Sequence, residues 1–312
     1  MNQPVFAGGV WSATPTPFAA DGRLDAGSIR RMIDHQVALK VAGVMLAGTC
    51  GEGAWLRERD REALTRTAVE AARGRLRIAL QVTDNSAGRV LDNIEQAMAG
   101  GAGLAVVAEP NFFMNFSSAR LLSHFQEVVR RSPLPVGLYE RGAAGRYQLD
   151  EPHLAELLDE PNLVLVKDSS SQPTRREVFL SARRRRPGWL LLNGNEFQCV
   201  DFLVAGYDGL MLGGAIFNAA LAHGIIAAVQ RGDLAEAGRL QERMNDLMYR
   251  VYGGPKIECW LTGLKELLVQ MGVFSSSASL LQYPLSEIYR SQIHAAVSGA
   301  DGRGFRADLF PP

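Results

Sequence analysis

Leu163-Val164-Leu165-Val166-Lys167 is a run of four aliphatic residues closed by an amine. A strand with one wet face alternates apolar and polar residues. A run without alternation is a strand covered on both faces, as in parallel α/β architecture. Seven further short runs have the same character: residues 9–13, 43–47, 77–82, 103–108, 135–139, 189–192 and 207–212, with the quoted run extending over 162–167. Amphipathic stretches separate them, at 28–40, 57–73, 86–98, 117–131, 151–158, 174–186, 196–204 and 218–230. In the first, Ile29, Met32, Ile33 and Val37 recur at helical spacing. Eight strand–helix units predict a closed (β/α)₈ TIM barrel over 1–230. A doubly wound open sheet usually turns on glycines after its first strand, whereas that turn here reads Thr14-Pro15-Thr16-Pro17-Phe18.

After Gln230 the alternation stops. Residues 233–252, 256–271 and 279–297 read as three helices, a C-terminal helical appendage spanning 231–297. The Gly-, Asp- and Pro-rich stretch 298–312 reads as a loosely held extension.

The 312 residues are 47% hydrophobic and 21% charged, with a formal net charge of +0. A neutral chain has no electrostatic reason to gather phosphate backbone, so nucleic acid is not an expected partner. The one arginine run, Arg183 to Arg186, reads as solvated cations at a helix end. Cys50, Cys199 and Cys259 form neither a disulfide framework nor a metal-binding pair, which suits a reduced, cytoplasmic setting. No apolar run reaches the length of a membrane span, and no leader pattern opens the chain. All five histidines fall in expected helices rather than at strand ends, so neither a metal site nor a cofactor is expected.

Only four of the 33 basic residues are lysines. Lys167 stands at the carboxyl end of a strand, where barrel enzymes place their chemistry. Removing an ammonium from water favours the neutral amine, the nucleophile that attacks a ketone; arginine cannot take that role. The alternative is a lysine that caps the strand or pairs with Asp168. Tyr139 closes the preceding strand 28 residues earlier, so phenol and amine are expected side by side. The second strand runs into Gly48-Thr49-Cys50-Gly51-Glu52-Gly53, whose backbone N–H groups can face a carboxylate. Thr49 adds a hydroxyl for proton relay. Gly194, in Asn193-Gly194-Asn195-Glu196, lets a ligand approach the backbone. Met211, Glu140 and Arg141 are further candidate substrate contacts at strand ends; the last two suit hydroxyls or a distal carboxylate.

In this order the residues resemble the dihydrodipicolinate synthase/N-acetylneuraminate lyase family. The likeness runs from about Gly9 to Ile293. It takes in Thr16-Pro17-Phe18, the Gly48 to Glu52 turn, Pro110 with Phe112-Phe113, Tyr139, Lys167, Asn193-Gly194, Gly206 to Gly213 and Pro255-Lys256. The resemblance implies a homotetramer (a dimer is the alternative) with no cofactor, acting on a small 2-oxo acid. It implies Lys167 as Schiff-base nucleophile, Tyr139 as general acid/base, and Thr49 with Cys50 as carboxylate site and relay. Three positions depart from the synthase pattern. Cys50 stands where a second hydroxyl is usual. Asn111-Phe112-Phe113-Met114 lacks the tyrosine lent to a neighbouring subunit. Ala144 replaces an arginine that binds the second substrate, for which Arg141 or Arg146 are the nearest substitutes. These departures favour retro-aldol cleavage or dehydration of a 2-keto-3-deoxy sugar acid or related hydroxylated 2-oxo acid. The alternatives are 4-hydroxy-tetrahydrodipicolinate synthesis with a different relay, or an inactive 2-oxo acid sensor.

Overall fold

The computed structural model describes residues 6–300 and 302–310. Eight parallel strands close in chain order: β1 (Gly9–Ala13), β2 (Gly43–Leu46), β3 (Arg77–Gln81), β4 (Leu104–Val107), β5 (Val136–Glu140), β6 (Leu163–Asp168), β7 (Leu190–Asn193) and β8 (Gly209–Leu212), with β8 pairing back onto β1. Around them run α1 (Ala26–Ala38), α2 (Glu58–Ala72), α3 (Ala87–Ala99), α4 (Ser118–Arg131), α5 (Glu151–Leu157), α6 (Pro173–Arg185), α7 (Cys199–Val204) and α8 (Ala215–Gln230). The barrel expectation holds. Helix starts follow the side chains that cap them: Asp25, Ser86, Ser117 and Asp150 each accept a first-turn N–H.

The barrel interior is a packed core of its own, containing Trp11, Met45, Ala79, Val106, Leu165, Leu192 and Met211. Trp11 is fully buried and fits because Gly43 has no side chain: a Cβ there would stand 2.7 Å from the indole Cε3. The indole N–H donates to the Ala7 carbonyl at 3.0 Å, so its polar edge is satisfied. Between β5 and β6 the register slips at Val136/Gly137, a bulge that leaves Tyr139 directly opposite Lys167.

Three helices follow the barrel: α9 (Leu234–Tyr252), α10 (Trp260–Gln270) and α11 (Glu287–Ser298). The last starts eight residues later than its hydrophobic pattern suggests, because Pro284 precedes it and the Ser286 side chain supplies the cap. Beyond it the expected loose extension is not what is seen. Residues Phe305–Leu309 form α12, with Phe305 and Leu309 buried and the Arg243 and Arg250 guanidinium groups over the Phe305 ring at 5.1 and 5.6 Å.

The arginine run meets expectation in part: Arg184 and Arg185 are exposed at the end of α6, whereas Arg183 and Arg186 are half-buried. Arg183 pairs with Asp208, Arg185 reaches Asp159 at 3.1 Å, and Arg186 donates to the Leu158 and Leu163 carbonyls at 3.0 and 2.7 Å. These side chains tie loops at the amino ends of the strands, away from the mouth that carries the site. No helix among the described residues is long and apolar enough to cross a membrane.

Candidate active site

Lys167 and Tyr139 are register partners at the carboxyl edge of the barrel, and both point inward. The Lys167 Nζ lies 4.3 Å from the centroid of the Tyr139 ring. Only 5% of Lys167 and 8% of Tyr139 is exposed, so the amine stands at the mouth and not in bulk water. The neighbouring Asp168 does not neutralise it. That carboxylate faces the opposite way, accepting from Ser170 N and Oγ at 2.9 and 2.6 Å and from the Tyr207 hydroxyl at 2.6 Å. Among the described residues, Lys167 has no ion-pair partner.

Gly194 leaves a space that a side chain would crowd. Its N–H donates to the Asp168 carbonyl at 2.6 Å, and a Cβ would overlap Ser169 Oγ and come within 3.0 Å of Lys167 Cε. The missing side chain leaves room for the lysine's terminal methylene.

Thr49 and Cys50 lie on the turn after β2. The turn folds back on itself, with Gly53 N–H to the Gly48 carbonyl at 3.1 Å. A Cβ on Gly51 would approach Ala47 N to 2.8 Å. Thr16 Oγ1 braces it, donating to the Gly51 carbonyl at 2.6 Å. Glu52 in this turn is fully buried and left-handed (φ 57). Its carboxylate takes an ion pair from Lys265 and hydrogen bonds from Ser279 Oγ (3.0 Å) and Leu280 N–H (2.5 Å). The turn is therefore fastened to α10 and the segment that follows it. Burial pushes the Lys265 amine down despite Glu52, and its Nζ lies 4.6 Å from the Phe18 ring centroid. Lys256 is exposed.

The two turn residues face different surroundings. Thr49 lines a recess of about 60 Å³ with Gln81, Thr83, Arg61 and Arg141. No hydrogen bond joins its hydroxyl to the Tyr139 phenol among the described residues. Cys50 is buried toward Gly213 and Glu196; burial first, then Glu196, pushes its thiol up to about 12. Its sulfur is thus a neutral S–H where a second hydroxyl was usual.

Two expected contacts, Glu140 and Met211, are placed differently, and a third, Arg141, is at the rim. Glu140 faces away from the mouth, because adjacent strand residues point to opposite faces and Tyr139 takes the inner one. Its carboxylate is occupied by Arg175 at 2.7 Å and by Gly142 N–H at 2.9 Å. Met211 is wholly buried in barrel packing and presents no open wall. Arg141 does border the recess, held by Glu109 at 2.7 Å. Burial pushes the Glu109 carboxyl up, against the pull of that guanidinium.

One group escaped the sequence reading. Glu196 accepts from Gly214 N–H at 2.7 Å and from the Tyr252 hydroxyl at 2.9 Å. Burial pushes its carboxyl up, while the Lys167 charge pulls the other way. It therefore sits within the field of the amine, aimed by a tyrosine from α9. Its position three residues beyond β7 was the available signal.

The chain is thus a closed parallel barrel with an unneutralised amine, a phenol and a glycine-rich turn gathered at the carboxyl ends of its strands. The description "Dihydrodipicolinate synthetase family" matches residues 6–300. The chain belongs to that family, whose members are lyases and synthases. It is 32% identical to the 4-hydroxy-tetrahydrodipicolinate synthase of Xanthomonas campestris pv. campestris over 204 residues, 65% of this chain and 66% of that one. It is 28% identical to the N-acetylneuraminate lyase of Rhizobium meliloti over 274 residues, covering 88% of this chain and 84% of the other. Among solved structures, a monomeric dihydrodipicolinate synthase variant superposes with TM-score 0.85 at 22% identity, over 97% of this chain and 99% of that one. A prophage protein of the same family from E. coli K12, in complex with pyruvate, gives TM-score 0.83 at 24% identity, over 94% and 98%. These two likenesses speak to the fold.

Proposed function

We propose that the protein is a Schiff-base lyase that cleaves or dehydrates a hydroxylated 2-oxo acid, such as a 2-keto-3-deoxy sugar acid. The observation that carries this reading is the buried Lys167 amine without a counter-ion, 4.3 Å from the Tyr139 ring. Lys167 Nζ attacks the C2 ketone, and Tyr139 moves the proton that lets water leave. The protonated imine then draws electrons from the C3–C4 bond while the C4 hydroxyl gives its proton to Tyr139, leaving an aldehyde and an enamine that takes a proton back at C3. In the dehydration Tyr139 instead takes the proton from C3, and the enamine so formed expels the C4 hydroxyl, protonated, as water. Water returns to release the product and the free amine. The Thr49–Cys50 turn faces the substrate's C1 carboxylate with its N–H groups, as turns of this kind bind anions. Glu196 supplies an acceptor for substrate hydroxyls on the far side of the amine.

A second reading, 4-hydroxy-tetrahydrodipicolinate synthesis, draws support from the names of several relatives. It lacks the hydroxyls it would need: Cys50 carries sulfur, and Phe113 is an apolar ring packed on His124 and Tyr147. A third, a 2-oxo acid sensor, predicts binding without turnover.

Borohydride trapping with pyruvate, followed by peptide mass mapping, tests the chemistry; a folded protein without an adduct on Lys167 refutes it. A pyruvate-release screen over 2-keto-3-deoxy acids, run beside a 2-oxoglutarate semialdehyde readout, separates cleavage from dehydration. Lack of turnover across the panel favours the sensor.

A further inference from the structure

Residues Glu196–Gln198 form a single helical turn after β7, and one face of α9 grips it. Gln241 donates to the Glu196 carbonyl at 3.0 Å and accepts from Cys199 N–H at 2.7 Å. Tyr249 stacks on Phe197 with ring centroids 5.3 Å apart. Tyr252, fully buried and edge-on to Phe217, donates its hydroxyl to Glu196 Oε1 at 2.9 Å. Helical spacing puts positions 241, 249 and 252 on one side of α9. The glutamine and the stacked rings already fasten the turn. The hydroxyl–carboxyl contact therefore calls for another reason, because two apolar side chains of the same shape would pack as well without desolvating a carboxylate.

The reason lies in what the carboxylate faces. Gly214 N–H donates to Oε2 at 2.7 Å, and the Tyr252 hydroxyl is the one donor to Oε1 among the described residues. Asn218, wholly buried nearby, makes no side-chain hydrogen bond among the described residues and offers no second grip. Each carboxylate oxygen can accept two hydrogen bonds, so each keeps a free lone pair. Glu196 is half-buried, and the backbone next to it is bare: a Cβ on Gly213 would meet nothing closer than Cys50 Sγ at 3.7 Å and Glu196 Oε2 at 3.9 Å. The Lys167 charge acts on both Cys50 and Glu196, so amine, thiol and carboxylate stand near one another. A 2-oxo acid with its C1 carboxylate on the Thr49–Cys50 turn runs past the amine toward Glu196.

We propose that Tyr252 is a positioning residue for the hydroxylated end of the substrate: its hydroxyl holds Glu196 so that the free lone pairs face the space over Gly213, where hydroxyls beyond C4 are accepted. This rests on the Schiff-base reading of Lys167 and deepens it. Preference for the substrate's tail is then set from the C-terminal helices, through Glu196, while the barrel strands carry the chemistry.

Borohydride trapping tests it with 2-keto-3-deoxygluconate against 2-oxohexanoate, a six-carbon 2-oxo acid without hydroxyls, and with pyruvate as reference. All adducts on Lys167 are counted at early times. A hydrogen bond to a carboxylate is worth on the order of 10- to 100-fold in affinity. The wild type is therefore expected to half-saturate with the sugar acid at a concentration about tenfold or more below that for 2-oxohexanoate. Tyr252→Phe, which keeps the ring, should shrink that ratio by about 3- to 10-fold. Gly214→Ala should shrink it too, because its Cβ would stand 2.9 Å from Glu196 Oε2 and push the carboxylate from the other side. In a Glu196→Ala background, Tyr252→Phe should change the ratio no further. Pyruvate trapping without any preference for the sugar acid in the wild type overturns the Tyr252 assignment and leaves the lysine chemistry standing. A ratio unmoved in either folded single variant also overturns it. So does a loss shared equally by pyruvate, which marks a merely structural tyrosine, or a further fall in the Glu196→Ala background, which shows the tyrosine acting without the carboxylate. Absence of a pyruvate adduct removes the lysine chemistry itself, and this assignment with it.

Discussion

Gly194→Ala isolates the grip on the nucleophile, because it adds one methyl group and no backbone strain. Gly194 is outside the left-handed region, so alanine accepts its φ. The new Cβ overlaps Ser169 Oγ, and it lies 3.0 Å from Lys167 Cε and 3.2 Å from the Asp168 carbonyl oxygen. Ordinary carbon–carbon contact begins near 3.5 Å, so Lys167 Cε has to retreat by about 0.5 Å. The serine hydroxyl can rotate away. The Asp168 carbonyl cannot, since it is a strand atom that accepts from Gly194 N–H itself. Overpacking of this size costs about 1–3 kcal/mol of stability. Displacing a reacting atom by up to about 1 Å costs on the order of 100-fold in rate. The assay is single-turnover trapping of the pyruvate imine with cyanoborohydride, quantified on the Lys167 peptide, with melting temperatures alongside. Gly194→Ala is expected to fall by roughly 10- to 100-fold in rate while remaining folded. Ser169→Ala alone should be near wild type. The double variant should recover stability more than rate, because the contact with Lys167 persists. A wild-type trapping rate in Gly194→Ala would refute the idea that this glycine sets the lysine's position. Full recovery in the double variant would show that the damage ran through Ser169 alone.

Lys265→Met should destabilise the protein by about 3–5 kcal/mol in urea titration, since it leaves the buried Glu52 carboxylate without its cation; Glu52→Gln added to it should restore much of the loss. Lys167→Met, which removes a cation without a partner, should leave the midpoint unchanged or raise it. All three thiols are buried, so none should react quickly with a disulfide reagent until urea is added. Burial pushes Cys50 to about 12 and Cys259 to about 11 from a usual value of 9.0. Unfolded thiols ionise first as pH rises, so stability is full below pH 9 and falls between there and about 12, by about 1 kcal/mol per thiol at pH 10. Cys50→Ala should remove its share of that slope. For Glu196, burial raises the carboxyl, so its contribution to stability is full below its usual 4.5 and is lost as pH rises through the folded value. Glu196→Gln should therefore flatten that dependence, its stability relative to wild type rising from about pH 4 to neutral pH. It should keep pyruvate trapping while KM for polyhydroxylated substrates rises; unchanged KM would remove Glu196 from the substrate site.

The barrel was legible because strands covered on both faces must be continuously apolar, a pattern that survives without any alignment. The pairing of Tyr139 with Lys167 followed from one βα unit of spacing and the closure of the barrel. Placing Glu140 beside Tyr139 at the mouth was an avoidable error of parity, since neighbours on a strand face opposite sides. The short α12 was hidden for a different reason. Five residues hold too few positions for a helical period to show, and what fixes them is the burial of Phe305 under two arginines from α9, a contact made across more than fifty residues. The Glu52–Lys265 pair, 213 residues apart, is equally invisible to local pattern.

Among the site residues the missing information was partnership, not residue type. Lys167 and Lys265 are both buried lysines at the same end of the barrel, and composition cannot rank them. The three-dimensional difference is that Glu52 neutralises Lys265, while Asp168, the obvious partner of Lys167, is turned outward to Ser170 and Tyr207. A fold that relies heavily on arginine for ion pairs supplies carboxylates for the cations that hold it together. It withholds them from those whose partner arrives from outside. A buried cation with a counter-ion therefore reads as architecture. One without a counter-ion, as at Lys167, reads as a place for a ligand, here a keto carbon.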